Sequence, residues 1–406
     1  MDQNTSTLPS HVDPALVRDY DMFNISAVDG EYQLGVTRFM SSLNADIPRV
    51  FWTERNGGHW VFNRGEDITY AIEHPELFSA NKMFVPREKN PNPPLIPLML
   101  DPPEQPKYRA LLTPAFTPRA VSVLADKARA LAIKLVEGFK PRGECEFVKE
   151  FAEVLPIAIF MSMVDLPESD REMLLEIGEQ HVRPITPQHH IDSMRDLQAY
   201  TLQKIKERRG SGGTDLITQL TEATVDGQKL DDHTLTGIIV LLLVAGLDTV
   251  AAGLGWFALF LARNPEHRKR LVENPELIPH ACEEIMRRYS IATVGRILTQ
   301  DMTYQGVTMK AGDMLIMPTL FLSVDRPDGE RPLEVDFDRK DVTHGAFSLG
   351  AHRCIGSMLA RVEMRIFVEE WLKRIPEFEV KPGTDLRIST GTVSGLRGLP
   401  LVWKTA

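Results

Sequence analysis

The most informative stretch of this 406-residue chain is Phe347-Ser348-Leu349-Gly350-Ala351-His352-Arg353-Cys354-Ile355-Gly356. Its cysteine lies between two glycines, and apolar residues then recur at helical spacing: Ile355, Met358, Leu359, Val362, Ile366 and Phe367. An amphipathic helix is therefore predicted directly behind Cys354. Unpaired backbone N–H groups and the positive end of the helix dipole would lower the pKa of the sulfur, which favours a metal-binding thiolate. Gly350 and Gly356 lack Cβ atoms and would let a flat ligand approach the backbone closely.

A cysteine in such a loop has two interpretations. A free cysteine most often behaves as a small hydrophobic residue and is chemically inert. The full spacing Phe-x-x-Gly-x-His-x-Cys-x-Gly resembles the haem-binding loop of the cytochrome P-450 superfamily. The resemblance implies that residues 347–356 form a haem loop, with Phe347, Gly350 and Gly356 against the cofactor and Cys354 as the axial thiolate of haem b. A thiolate ligand pushes electron density onto the iron and favours O–O cleavage.

The composition excludes several other classes of protein. With 43% hydrophobic and 25% charged residues and no linker or repeat, residues 1–406 are expected to form one globular domain. The net charge of −10 argues against nucleic acid as a partner. The three cysteines are too widely spaced for a disulfide framework or a zinc site. Residues 1–20 lack the basic-then-apolar pattern of a secretion signal, which predicts a cytoplasmic protein.

One long apolar segment could be either a membrane span or a buried core helix. Asp248 is the only charged residue from Leu235 to Ala262, and this length fits a bilayer. A central aspartate costs about 2.5–3.5 kcal/mol on membrane-insertion scales, and the flanking charges show no one-sided basic bias. We therefore predict a buried helix over about residues 234–262, and no membrane contact.

Within this segment, Asp248 and Thr249 are candidate catalytic residues. Buried polar side chains are costly unless they are paired, and a helical threonine commonly pairs with the carbonyl one turn back. The stretch Ala245-Gly246-Leu247-Asp248-Thr249 also resembles the central helix of haem-thiolate oxygenases. The resemblance implies that Ala245 lies beside the cofactor, that Thr249 holds an oxygen or a water, and that Asp248 delivers protons from solvent.

Further charged residues acquire roles through the same resemblance. Glu284 and Arg287 share a helix face, and a pair of this kind is usually a surface salt bridge worth under about 1 kcal/mol. In the superfamily such a pair is a structural lock behind the haem. Arg296, His352 and Arg109 are implied to bind the two haem propionates, since arginine pairs well with carboxylates.

A proline-rich segment, residues 80–106, is predicted to form a loop that roofs the substrate pocket (the roofing loop). The pocket lining implied by the resemblance is apolar and would select substrates by shape and apolar area. The predicted substrate contacts are Leu98, Leu241, Val244, Ala245, Ile291 and Ala292.

The remaining patterns predict a mainly α protein with a small β region. Strand-like residues flank Asn56-Gly57-Gly58 and indicate a hairpin, and two short strands are expected around residues 310–313. Helical spacing predicts helices over residues 120–139, 145–164 and 192–209, the last with Asp192 as its cap. The family resemblance implies the single-domain cytochrome P-450 fold, a triangular helical prism.

Within the superfamily the chain resembles most the bacterial camphor hydroxylases, through the stretches 241–250, 295–299 and 374–376 and the C-terminal Leu399-Pro400-Leu401-Val402-Trp403. The resemblance implies insertion of one atom of O2 into an unactivated C–H bond. Electrons would come from NADH through a ferredoxin reductase and a [2Fe-2S] ferredoxin.

Two departures from that family bear on the substrate. No tyrosine lies between Tyr70 and Tyr108 to bind a substrate ketone, and Val294 replaces an acid. Camphor is thus disfavoured, and a terpenoid or norisoprenoid such as an ionone-like ketone is predicted. The alternatives are a haem-thiolate sensor or carrier and a peroxide-driven hydroxylase, and the Asp248–Thr249 pair argues against both.

The ferredoxin is expected to dock on a basic patch near the haem loop. Two acidic proteins associate well only if one carries a local patch of opposite sign. The candidate residues are Lys107, Arg109, Arg353 and Arg361. The alternative is that these side chains are solvated charges or propionate partners.

Overall fold

The computed structural model describes residues 8–23, 48–87, 90–182, 187–325 and 331–405, so residues 1–7 of the polar N-terminal segment lie outside it. Its α-helices are α1 (Gly65–Glu73), α2 (Glu104–Leu112), α3 (Pro118–Phe139), α4 (Val154–Val164), α5 (Arg171–Val182), α6 (Pro187–Arg208), α7 (Leu216–Glu222), α8 (Asp232–Arg263), α9 (Pro265–Glu273), α10 (Ile278–Arg288), α11 (Phe321–Val324) and α12 (Ser357–Arg374). Its strands are β1 (Val50–Thr53), β2 (His59–Phe62), β3 (Phe78–Ser79), β4 (Glu144–Glu146), β5 (Thr224–Val225), β6 (Gln228–Lys229), β7 (Thr293–Leu298), β8 (Met302–Tyr304), β9 (Val307–Met309), β10 (Met314–Pro318), β11 (Glu379–Val380), β12 (Ile388–Ser389), β13 (Gly395–Leu396) and β14 (Pro400–Val402).

The central helix α8 is the predicted core helix. Asp231 caps its start by accepting a hydrogen bond from the Thr234 N–H at 2.7 Å, which satisfies one of the free N–H groups of the first turn. It is the one described helix that is long and apolar enough to cross a bilayer, yet 67% of its most apolar window is buried within the protein. The prediction of a buried core helix is confirmed.

Helix α12 follows the haem loop, as predicted, and packs against α3 in an aromatic core. Phe367 and Trp371 of α12 contact Phe147, with ring centroids 5.1 Å and 5.2 Å away respectively. Leu359, Ile366 and Phe367 are buried as the spacing predicts. Met358 is 38% exposed, so its place on the buried face was predicted wrongly.

The β region contains a five-stranded sheet with the order β1-β2-β10-β7-β3. The predicted hairpin is confirmed, because β1 and β2 pair antiparallel from Val50–Phe62 to Thr53–His59. The two strands expected around residues 310–313 exist as β9 and β10 but do not pair with each other. β9 pairs with β8, whereas β10 lies between β2 and β7. Arg296 lies on β7 of this sheet, opposite Leu315 of β10, and is buried.

Two predicted helix boundaries were wrong. Cys145 lies in strand β4, which pairs with β14, and the α-helix of this region begins only at Val154. The apolar residues of this stretch do recur at helical spacing, but residues Val148–Ala152 form a π-helix between β4 and α4. Asp192 lies inside α6, which begins at Pro187, and therefore does not cap it.

The roofing loop lies directly on the first turns of α8. The Ile96 N–H donates to the Gly237 carbonyl at 3.4 Å. A Cβ atom at Gly237 would be 2.3 Å from the carbonyl oxygen of Pro94, closer than any real contact. Only glycine therefore allows the loop backbone to approach the helix this closely.

Candidate active site

A cavity of about 840 Å³ is lined by the central helix, the roofing loop and the haem loop. Its size is in the range of small-molecule sites, about 300–1,000 Å³. All the predicted substrate contacts line it: Leu98, Leu241, Val244, Ala245, Ile291 and Ala292. Sequence reasoning missed apolar lining residues from distant segments: Met83, Phe84, Phe160, Ile388 and Val393. Chain folding brings these residues together, and no local pattern marks them.

Cys354 lies at this cavity, held by the hydrogen bonds of the haem loop. Its N–H donates to the Phe347 carbonyl at 2.9 Å, and its sulfur accepts a hydrogen bond from the Gly356 N–H. The prediction that its thiol pKa is lowered was wrong. Although the Cys354 side chain is open to the cavity, desolvation by the surrounding protein raises its pKa more than the Gly356 N–H and the cations Arg109, Arg361 and Arg353 lower it. The thiolate therefore depends on a bound cation, which a metal supplies.

The two glycines of the haem loop serve different purposes. Gly350 has φ +63°, a left-handed conformation that other residues rarely adopt, but it does not line the cavity. Gly356 lines the cavity with an ordinary φ of −79°. A Cβ atom there would lie 3.9 Å from the Cys354 sulfur, so Gly356 keeps space open beside the sulfur.

Arg296 is buried and His352 is half-buried, and the nearby carboxylate of Asp101 acts on both but hydrogen-bonds to Ser79 and Ala80 instead. The Arg296 guanidinium donates to the carbonyl of its neighbour Gly295 at 2.7 Å, and burial lowers its pKa to about 10. Burial, with Arg296 nearby, lowers the pKa of His352 to about 4. Among the described residues, His352 Nε2 has no hydrogen-bond partner. A buried guanidinium and a ring nitrogen without a hydrogen-bonded carboxylate cost free energy until an anion binds to them. The carboxylates of a haem would supply that anion, so these residues fit the cofactor, although Arg296 itself does not line the cavity.

Helix α2 is tied to the haem loop through two side chains. Gln105 Nε2 donates to the Ala351 carbonyl at 2.8 Å, and Arg109 Nη2 donates to the Arg353 carbonyl at 2.6 Å. Both side chains line the cavity. The third predicted propionate partner, Arg109, therefore lies beside the haem loop, as expected.

Asp248 and Thr249 both line the cavity from α8. Thr249 Oγ1 donates to the Ala245 carbonyl at 2.9 Å, which is the bond one turn back that the simpler interpretation predicts. This bond uses the hydroxyl proton and leaves the oxygen lone pairs free to accept a hydrogen bond from the cavity. Asp248 is only 5% exposed, so its carboxyl group lies largely out of contact with bulk solvent.

Glu284 and Arg287 form a fully buried, bidentate ion pair with N···O distances of 2.7 Å and 2.9 Å. Glu284 also accepts from the Asp336 N–H and from Arg339, while Arg287 donates to the carbonyls of Pro332 and Glu334. Because both side chains are buried, the pair is not the surface salt bridge that such a pair usually forms. Since neither residue lines the cavity, the pair ties α10 to the segment before the haem loop.

Glu363 is a cavity residue that sequence reasoning missed. It is 1% exposed, its Oε1 has no hydrogen-bond partner among the described residues, and burial raises its pKa to about 8. A signal was present in the sequence. Glu363 follows Leu359 by four residues and precedes Phe367 by four, so it lies on the apolar face of α12.

Comparisons with known proteins agree with this geometry. The family profile described as "Cytochrome P450" matches residues 144–400. A probable cytochrome P450 127A1 of Sinorhizobium fredii is 33% identical over 404 residues, covering 98% of this chain and 97% of that protein. The mycinamicin IV hydroxylase/epoxidase of Micromonospora griseorubida is 31% identical over 361 residues, covering 85% and 89%.

Solved structures give the same result for the fold. The crystal structure of CYP101J2 superposes with a TM-score of 0.89 at 34% identity, covering 98% of this chain and 100% of that one. CYP101C1 gives a TM-score of 0.88 at 35% identity and the same coverage. The mainly helical fold with small sheets is thus confirmed, and the chain belongs to the cytochrome P450 family, as a monooxygenase that carries haem b on a cysteine thiolate.

Proposed function

We propose that this P450 hydroxylates an unactivated C–H bond of a small terpenoid or norisoprenoid, such as an ionone-like ketone. The observation that carries the proposal is the position of the Asp248–Thr249 pair and Cys354 in one largely apolar cavity. An apolar wall with few polar groups suits a compact hydrophobic substrate, which it holds by shape and buried area.

The roofing loop offers such a substrate little hydrogen bonding. One of its three asparagines, Asn90, is used internally: Oδ1 accepts from the N–H groups of Met83 and Phe84, and Nδ2 donates to the carbonyls of Phe84 and Arg87. Most of the loop residues that line the cavity are apolar: Met83, Phe84, Val85, Leu95, Pro97 and Leu98. A ketone would therefore not be held by a fixed donor of this loop.

The proposed roles of the remaining residues follow from their positions. Cys354 would hold the iron, with Phe347 and Gly356 against the cofactor and Gly350 forming the turn of the loop. His352, Arg296 and Arg109 would bind the haem carboxylates. Bound haem supplies the iron that activates O2. Thr249 would hold an oxygen or a water in the cavity, accepting a hydrogen bond from the water, and Asp248 would deliver protons from solvent. Glu284 and Arg287 would act as the structural lock.

P450 monooxygenases need O2 and a redox partner, and we propose a [2Fe-2S] ferredoxin that receives electrons from NADH through a reductase. The expected basic patch is smaller in the structure than the sequence suggested. Lys107 pairs with Glu104 and Asp226, and Arg361 pairs with Glu283. Exposed Arg353, with Arg109 beside it, remains as the docking cation of this proposal.

The proposal also includes one domain over residues 1–406 and a cytoplasmic location. The cavity is lined by residues from Phe23 to Arg397, which supports a single domain. The burial of α8 supports a protein that works without a membrane.

A spectral titration of the ferric holoprotein tests the substrate class. The panel would contain ionone-like ketones, other small terpenoids, a steroid, a macrolide and a methyl-branched fatty acid, since relatives include a steroid C26-monooxygenase, a mycinamicin hydroxylase and a methyl-branched lipid omega-hydroxylase. We expect displacement of the iron-bound water by the small terpenoids at micromolar concentrations. Tight binding of only the macrolide, steroid or lipid would overturn the proposed substrate class. Turnover with hydrogen peroxide but not with NADH and the electron-transfer proteins would favour the peroxide-driven alternative.

A further inference from the structure

A cluster of charged side chains lies behind the haem loop, outside the cavity chemistry described above. Arg361 of α12 donates to both carboxylate oxygens of Glu283 on α10, from Nε at 2.7 Å and from Nη2 at 3.0 Å. A third bond fixes the carboxylate, because His344 Nε2 lies 3.1 Å from Glu283 Oε2. The fork of an arginine on a carboxylate fixes both its position and its orientation.

His344 orients this cluster through both of its ring nitrogens. Its Nδ1 accepts a hydrogen bond from the Ala346 N–H at 3.2 Å, so the ring proton is assigned to Nε2, which donates to Glu283. Burial opposes the charge on Glu283, but the bonds from His344 and Arg361 lower the pKa of Glu283 to about 2. The carboxylate is therefore ionised under all ordinary conditions and keeps Arg361 in place.

The guanidinium that Glu283 holds lies over the ring of Phe347, with its central carbon 4.5 Å from the ring centroid. This is a cation–π arrangement that a guanidinium forms well. The Phe347 carbonyl in turn accepts the Cys354 N–H at 2.9 Å, and Phe347 lines the cavity. Arg361 is also one of the cations whose field acts on the Cys354 sulfur. Its charge is thus held at a fixed place beside the residues proposed to ligate haem.

We propose that Glu283 and Arg361 form a charge clamp that sets the reduction potential of the haem iron, with Arg361 as a positioning residue and Glu283 as its counterion. The inference rests on the proposed ligation of haem by Cys354. A nearby cation stabilises the reduced iron, which carries one positive charge less than the oxidised iron, and so raises the potential. The paired carboxylate limits that increase. The Arg361 guanidinium is bound to Glu283 and stacked on Phe347. It is therefore poorly placed to bind a redox partner.

The clamp predicts shifts of opposite sign in two variants of the holoprotein. Arg361→Gln removes the cation and should lower the reduction potential, whereas Glu283→Gln removes the anion with nearly unchanged shape and should raise it. Arg361→Lys keeps the charge without the fork or the planar stacking, so its potential should lie between those of Arg361→Gln and the wild type. Arg365→Gln is the matched control: Arg365 lies one turn further along α12 and pairs with Glu369 at 3.5 Å. Its potential should equal that of the wild type.

The measurement is a spectroelectrochemical titration of the substrate-free holoproteins. The carbon monoxide spectrum of each reduced variant checks that the thiolate ligand is retained. Potentials that do not change, that shift in the same direction in Arg361→Gln and Glu283→Gln, or that shift equally in Arg365→Gln would overturn the clamp. An unchanged potential with slower reduction by ferredoxin would instead make Arg361 a docking residue and would also overturn it. Since no substrate is present, failure here is distinguishable from failure of the proposed hydroxylation, which the spectral titration tests.

Discussion

Among single residues, Thr249 shows how one side chain can satisfy a structural and a functional interpretation at once. Its hydroxyl donates to the Ala245 carbonyl, and the side chain still lines the cavity. A hydrogen bond from a threonine hydroxyl to the carbonyl one turn back is common in helices and does not by itself indicate a function. The neighbouring buried Asp248 is the reason we propose a role in proton transfer for Thr249.

We expect Thr249→Ala to consume O2 and NADH at a rate similar to the wild type while forming roughly tenfold less product and releasing peroxide. The reason is that the variant lacks the Thr249 hydroxyl, which is proposed to take part in proton delivery, while the cavity keeps its shape. Product and peroxide formed per NADH are the quantities to measure.

Thr236 offers a matched control, because its Oγ1 makes the same kind of bond, to the Asp232 carbonyl at 2.6 Å, but does not line the cavity. Thr236→Ala should keep the wild-type yield. Equal yields in both variants would leave Thr249 with a structural role only.

Glu363 should give the protein a characteristic pH dependence. Its folded pKa of about 8 is raised from the ordinary value of 4.5. Between these values the folded state holds a proton that the unfolded state has lost, so stability falls as pH rises, by up to about 1.4 kcal/mol per pH unit. Glu363→Gln should remove this fall and raise the melting temperature near pH 8. Melting temperatures from pH 5 to about pH 8 test this. Parallel curves for wild type and variant would mean that Glu363 is ionised in the folded protein.

At the scale of elements, the contact between the roofing loop and α8 connects the fold to the substrate pocket. Gly237 allows the Pro94 carbonyl to lie against the helix. Further bonds hold the loop at the same end: Asn92 bonds His233 of α8 at 3.1 Å and Gln198 of α6 at 3.2 Å. The roof of the pocket is therefore positioned by two helices.

Gly237→Ala should push the roofing loop away from α8 and weaken substrate binding by about fivefold or more, as expected for overpacking of 1–3 kcal/mol. The spectral dissociation constant of the best substrate is the readout. Gly255→Ala is the control, because a Cβ atom there would lie at an ordinary 3.6 Å from Leu396. If both variants bind substrate as the wild type does, the loop adapts and its contact with α8 does not set affinity.

Elements also show where sequence reasoning succeeded and where it could not. The helix behind Cys354 and the central helix follow from local spacing, and the structure confirms them, whereas the haem loop was inferred from a family resemblance. The pairing of β10 with β2 and β7, the burial of Glu363 and the pairing of Arg361 with Glu283 join distant segments. The raised pKa of Cys354 has the same origin, since desolvation by the protein around the cavity outweighs the local loop and its cations.

At the scale of the whole molecule, this chain is acidic, and we expect an acidic ferredoxin to bind it through a small number of cationic side chains on its surface. Arg353→Ala should slow reduction by the ferredoxin, most at low ionic strength, while reduction by dithionite stays unchanged. Lys107→Ala should have a smaller effect, because Glu104 and Asp226 already neutralise Lys107. Stopped-flow reduction rates at several salt concentrations test this. Rates that depend on neither Arg353 nor salt would place the docking site elsewhere.

The account as a whole depends on Cys354 as the residue that holds the haem iron. The most direct measurement is the carbon monoxide spectrum of the reduced wild type, of Cys354→His and of the control Cys282→Ala, whose cysteine is buried away from the cavity. We predict the strongly red-shifted Soret band of a thiolate ligand in the wild type and in Cys282→Ala, and its loss in Cys354→His. A red-shifted band that persists in Cys354→His would contradict the account.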